Sequence, residues 1–93
     1  MIIGFASKET EKIWRGEVSR KLPRDIQQIV LRKLFMLDKA QTLTDLKIPP
    51  ANRLEALKDD RKGQHSIRIN DQWRICFVWT KNGPDAVEIV DYH

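Results

Sequence analysis

Ile26, Ile29, Val30, Leu34 and Leu37 stand at i, i+3, i+4, i+8 and i+11, one face of a helix with a 3.6-residue period. Leu31 and Phe35 widen that stripe. Pro23 suits a first helical position, because it lacks an N–H that would be orphaned there. Asp25 suits the positive end of the helix dipole. The pattern predicts a helix from Arg24 to about Ala40 with its apolar stripe in the core.

The flanking segments have other periods. Ile2-Ile3-Gly4-Phe5 is a short apolar run and a predicted strand. Ser7 is placed to cap a helix from Lys8 to about Arg15, which carries Ile13 and Trp14 inward. Thr42 to Asn52 is broken. Thr44-Asp45-Leu46 reads as a short turn, and Pro49-Pro50 forbids regular helix. Beyond it, Leu54 and Leu57 flank a short segment, and Asp59 to Gly63 is a polar loop. His65 to Ile69 alternates, Trp73 to Trp79 is dense in aromatic and β-branched residues, and Ala86 to Val90 alternates again. Asn82-Gly83 is a preferred dipeptide of tight hairpins.

The order is β-α-α-β-β-β-β. Late strands joined by hairpins make a mainly antiparallel sheet, and early helices must cover one of its faces. That is an α+β arrangement in a single domain over residues 1–93. The other face stays partly open, able to hold a single strand of nucleic acid if Lys and Arg rim it.

Composition narrows the setting. The 93 residues are 41% hydrophobic and 32% charged, too apolar for a disordered tail. No signal peptide is visible, and no apolar stretch nears the ~20 residues needed to span a bilayer, so a cytoplasmic protein is expected. Cys76 is the sole cysteine, which fits a reducing compartment. It lies in an apolar run, where burial makes a thiol inert. The net charge of +4 attracts polyanions without choosing among RNA, DNA, an acidic protein partner and simple solubility.

Candidate chemistry gathers late in the chain. Asp91, Tyr92 and His93 put a carboxylate, a phenol and an imidazole on successive positions. All three can move protons or hydrogen-bond a phosphate. The alternative is a solvated tail. Lys58 and Arg61 fall in a loop, and Arg68 and Arg74 fall on adjacent strands with their side chains away from the core face. Two guanidinium groups there either bind a phosphate or simply line a wet strand face. His65 reads as a packing residue. No HExxH, cysteine pair or carboxylate cluster has metal-ligand spacing, and no glycine-rich phosphate loop occurs, so neither metal nor cofactor is expected.

Taken together, Asn52 to Gly63, Ser66-Ile67, Trp73-Arg74-Ile75 and the terminal Asp91-Tyr92-His93 resemble the HigB toxins, the plasmid maintenance killer proteins. The resemblance extends over essentially the whole chain. It implies a RelE-like fold and cleavage of mRNA in the ribosomal A site. It also implies neutralisation by a HigA-like helix-turn-helix antitoxin, with operator DNA bound only through that antitoxin. Carried over by position, Asp91, Tyr92 and His93 match the family's C-terminal catalytic group. Lys58, Arg61 and Arg74 match basic positions that hold or polarise RNA, and Arg68 matches more weakly. One departure stands out. Members of the family carry histidine then proline where this chain has Glu55-Ala56.

The expected reaction is metal-independent. The ribose 2′-OH attacks the adjacent phosphate and leaves a 2′,3′-cyclic phosphate and a 5′-OH. His93 or Glu55 serves as base, and His93 or Tyr92 protonates the leaving oxygen. Asp91 orients a neighbour, and Arg74 and Lys58 stabilise phosphate charge. An unperturbed histidine titrates near about 6.5, a better shuttle than tyrosine near about 10. Two rivals remain open at this level. One is a ParE-like toxin that inhibits DNA gyrase without chemistry, since a fold does not fix a function. The other is a plain RNA- or protein-binding module.

Overall fold

The computed structural model of the protein describes residues 1–91; Tyr92 and His93 lie outside the described residues. Three helices precede an antiparallel four-stranded sheet. The helices are α1 (Lys8–Trp14), α2 (Arg24–Lys39) and α3 (Leu43–Lys47). The strands are β1 (Glu55–Ala56), β2 (His65–Arg68), β3 (Trp73–Thr80) and β4 (Gly83–Asp91), in the spatial order β1-β2-β3-β4. Single 3-10 turns at Pro50–Asn52 and Asp59–Arg61 flank β1. The α+β architecture matches the expectation from periodicity. Among the described residues, no helix is long and apolar enough to cross a membrane.

The helices form where the pattern puts them. Ser7 caps α1, its hydroxyl accepting from the Thr10 N–H, and Ile13 is buried. In α2 the residues Ile26, Val30, Leu34 and Leu37 are buried, with Asp25 in the first turn and Lys39 in the last. Pro23 takes the N-cap position rather than the first helical one. Phe35 does not widen the core stripe: it is 50% exposed. Its ring instead meets Trp14 of α1 edge-on, with centroids 5.1 Å apart. The third helix, read from sequence as a turn, is fixed by a capping box in which Thr42 and Asp45 exchange side-chain bonds with each other's backbone N–H.

The core lies between α1, α2 and α3 and one face of the sheet. Ile67, Ile75, Phe77, Val87 and Ile89 meet Val30, Leu34, Leu37 and Leu46 there. A fully buried side chain of this kind contributes about 1.5–3 kcal/mol. Trp73, Trp79 and Trp14 pack at its margin. A polar strut joins the layers: Thr10 is fully buried on α1, and its hydroxyl accepts the Ile89 N–H of β4 at 3.0 Å.

The expected first strand is reduced to a strap. Ile3 N–H donates to Pro84 O, Val87 N–H to Gly4 O, and Ala6 N–H to Val87 O, with one parallel bridge at Phe5 and Val87. These bonds run along the edge of β4, where Ala86 at φ 50° forms a bulge between the Cys76–Glu88 and Val78–Asp85 pairs. The β3–β4 hairpin turns through Lys81-Asn82, one position earlier than the Asn82-Gly83 reading. Gly83 pairs with Thr80 as the first residue of β4. Its φ is +132°, and a Cβ there would stand 2.1 Å from Met1 O. Close approach of the N-terminal strap is what requires glycine.

Candidate active site

The face of the sheet away from the helices is ordered by register. Glu55 stands opposite Ser66, Ser66 opposite Cys76, and Cys76 opposite Glu88. The next row places Arg68 opposite Arg74, and Arg74 opposite Val90. Cross-strand partners share a face, so these side chains leave the sheet on the side opposite Ile67, Ile75 and Ile89. Alternation around Ile67 and Ile75 pointed to this orientation for both arginines.

Arg74 is nevertheless 8% exposed, not a wet guanidinium. Its Nε donates to Ser66 Oγ at 2.7 Å, and its Nη2 donates to Arg53 O at 2.6 Å and to Ser66 O at 3.3 Å. Arg53 supplies that carbonyl from a left-handed conformation, φ 43° and ψ 55°, at the end of the Pro50–Asn52 turn. The arginine is thereby held rigidly in the sheet floor. Neither Ser66 nor the Arg53 carbonyl is marked by spacing in the sequence, because the contacts cross between strands and turns.

Beside this floor opens a cleft of about 620 Å³, lined by Glu55 to Arg61 and by Val90 and Asp91. Four expected site residues therefore meet at one opening: Glu55 from β1, Lys58 and Arg61 from the following loop, and Asp91 from the end of β4. Glu55 and Lys58 are exposed. Asp59, beside Lys58, takes φ 55°, a left-handed conformation that an aspartate tolerates. Asp91 Oδ2 accepts from Gln72 Nε2 at 3.1 Å. Tyr92 and His93, the other members of the expected catalytic group, follow Asp91 directly but lie outside the described residues.

Arg61 reaches across the sheet. Its Nη1 donates to Glu88 Oε1 at 2.8 Å and to Gln64 Oε1 at 3.0 Å. The bond to Glu88 holds the guanidinium above its usual range. Alternation places Glu88 on the outer face, but nothing in the spacing marks it as the partner of Arg61. Cys76 lies in the same row at 1% exposure, and burial pushes its thiol up from the usual range. This is the inert state expected of it.

Arg68 departs from the group. It turns to the exposed carboxylate of Asp71 rather than into the cleft. His65 stacks on Phe77 with centroids 6.2 Å apart, and among the described residues its Nδ1 is buried with no hydrogen-bond partner. It packs, as expected, and does not enter the cleft lining.

Known proteins are similar in sequence to this chain. The sequence model for the RelE-like toxin of the type II toxin–antitoxin system HigB matches residues 4–93. A protein named Toxin HigB-1 from Vibrio cholerae serotype O1 is 41% identical over 80 residues, 85% of this chain and 84% of its own length. The Endoribonuclease HigB of Proteus vulgaris is 27% identical over 93 residues, the full length of both chains. An uncharacterised protein of Haemophilus influenzae is 34% identical over 67 residues, 72% of this chain and 66% of its own. A helix-covered antiparallel sheet, a charged loop beside its open face and a match running to the last residue lead to one assignment: the chain belongs to the HigB-like family, the RelE-like toxins of type II toxin–antitoxin systems.

Proposed function

We propose that the protein is an endoribonuclease toxin that cuts mRNA in the ribosomal A site. The observation that carries this reading is the cleft itself. Four carboxylates, Glu55, Asp59, Asp60 and Asp91, and two cations, Lys58 and Arg61, line the opening, with Arg74 fixed in the adjoining floor. The Proteus vulgaris relative named an endoribonuclease supports the same chemistry.

In this reading RNA brings its own nucleophile. Glu55 or His93 takes the 2′-OH proton, the oxygen attacks the adjacent phosphorus, and His93 or Tyr92 protonates the departing 5′-oxygen. The products are a 2′,3′-cyclic phosphate and a 5′-OH, and no metal is required. Asp91 orients a neighbouring group, while Lys58 and Arg74 offset the charge that develops on the phosphate. The exposed, open cleft supports ribosome dependence, because a site that orients RNA weakly gains most from a template that holds it. A HigA-like helix-turn-helix antitoxin neutralises the toxin in the cytoplasm, and operator DNA is reached through that antitoxin.

The test is primer extension on mRNA from cells expressing the protein, its Lys58→Ala variant, and a form lacking His93. Codon-linked cuts that vanish in both variants are expected. A DNA-damage response without cuts would instead place the toxin among gyrase inhibitors.

A further inference from the structure

Beyond the cleft, the edge of the molecule where α2 and β2 both meet the Pro50–Asn52 turn carries positive charge of a particular kind. Lys33 projects from α2, and its Nζ donates to Oδ1 of Asn52. Asn52 is fully buried, and its Nδ2 is spent on the carbonyl of Leu46 at 3.0 Å. The ammonium is thus anchored by a neutral amide rather than by a carboxylate. Burial pushes Lys33 below its usual range, and the positive charges of Arg32 and Arg68 add to that shift. The ion pair at this edge, Arg68 with Asp71, uses a carboxylate that is entirely exposed. Such a pair is worth about 0–1 kcal/mol and exchanges readily for another anion.

Lys33 held by an amide and Arg68 held by an exposed carboxylate leave this edge open to an anion that neutralises them. The position says which. Arg68 is the cross-strand partner of Arg74, so the cluster adjoins the floor beside the candidate active cleft. Asn52, which anchors Lys33, is followed by Arg53, whose carbonyl accepts from Arg74. The cluster and the floor arginine are therefore fastened to the same short turn. A polyanion that places one phosphate at the cleft and continues past Arg74 meets Arg68 next.

We propose that Arg32, Lys33 and Arg68 form a second phosphate-binding site, which holds the RNA backbone at a distance from the bond that is cut. The inference rests on the reading of the protein as an RNA-acting toxin and adds to it a site of binding without chemistry. Its ligand is the phosphodiester backbone, of either the mRNA or the ribosomal RNA around it. Arg32 is exposed on α2, so Arg32→Gln removes a charge without disturbing packing. Lys33→Met keeps the length of the side chain and removes the charge that Asn52 anchors.

The experiment measures binding of a short single-stranded RNA and, separately, of 30S subunits without mRNA, across about 50–200 mM salt. Each variant is checked for folding by circular dichroism. For the single-stranded probe, each lost contact lowers the slope of log K against log salt by about 0.7. A weakened slope for Arg32→Gln with either probe supports the site, and the probe that responds identifies the source of the phosphates. Unchanged slopes with both probes for folded Arg32→Gln and Lys33→Met overturn it, and so does a loss confined to antitoxin binding. Intracellular cleavage tests the parent reading apart from this one. Codon-linked cuts with unchanged slopes remove the second site alone, whereas absence of both cuts and RNA binding in the unaltered protein removes both.

Discussion

Arg61 Nη1 lies 2.8 Å from Oε1 of Glu88, joining the loop after β1 to the middle of β4. Both side chains are partly exposed, at 37% and 26%. The bond spans the row that contains Ser66 and Cys76, and it engages a cation that also lines the cleft.

Glu88→Gln is expected to cost under about 1 kcal/mol of stability, because a part-exposed ion pair contributes little. The same change frees Arg61 from a competing carboxylate, so RNA binding should tighten several-fold. Thermal melting and RNA titration on one preparation measure both. Weaker binding by Glu88→Gln would mean that the carboxylate positions Arg61 rather than competes for it.

Arg74→Lys keeps the charge and loses the fork. Lysine cannot serve Ser66 Oγ and Arg53 O from the two directions that Nε and Nη2 take. Each acceptor left unsatisfied costs about 1–3 kcal/mol. Denaturant unfolding should show a loss in that range, and mRNA cleavage should fall with it. A stable Arg74→Lys that has lost cleavage would show that the guanidinium acts on RNA itself.

Cys76 should resist alkylation in the folded protein at neutral pH and react once denatured. Burial raises its folded-state pKa above the unfolded value near 9.0. The unfolded chain therefore releases this proton first, and stability falls as pH rises past about 9. Cys76→Ala should flatten that alkaline limb in a pH series of melts.

Gly83→Ala brings a methyl group into the Met1 carbonyl at a φ of +132°. A strained residue of this kind costs about 1–3 kcal/mol. Hydrogen exchange should report the damage locally, through faster exchange at Ile3 and Val87, which donate across the strap.

The helices were legible because their signals are local. Ser7, the stripe from Ile26 to Leu37 and the broken segment at Pro49-Pro50 act within a few positions of one another. The Thr42–Asp45 capping box carried an equally local signal, and it marks a helix where composition alone read as a turn. What the sequence hid is non-local. Phe35 belongs to the stripe by phase, yet Trp14 claims its ring from another helix. Alternation put Arg74 on the outer face but said nothing of Ser66 and Arg53 O, which cover it. Lys58, Arg61, Glu55 and Asp91 could be nominated individually; only the fold joins them in one cleft, and it leaves Arg68 outside.

The N-terminal strap has a consequence for how this protein meets other chains. A sheet edge is a template on which any extended peptide can grow. On β4, the Pro84 and Val87 carbonyls and the Val87 N–H are taken by the strap, and the Ile89 N–H is taken by Thr10. The opposite edge, β1, is only Glu55–Ala56 long. One margin is covered and the other offers only two strand residues, which limits templated growth and self-association through the sheet.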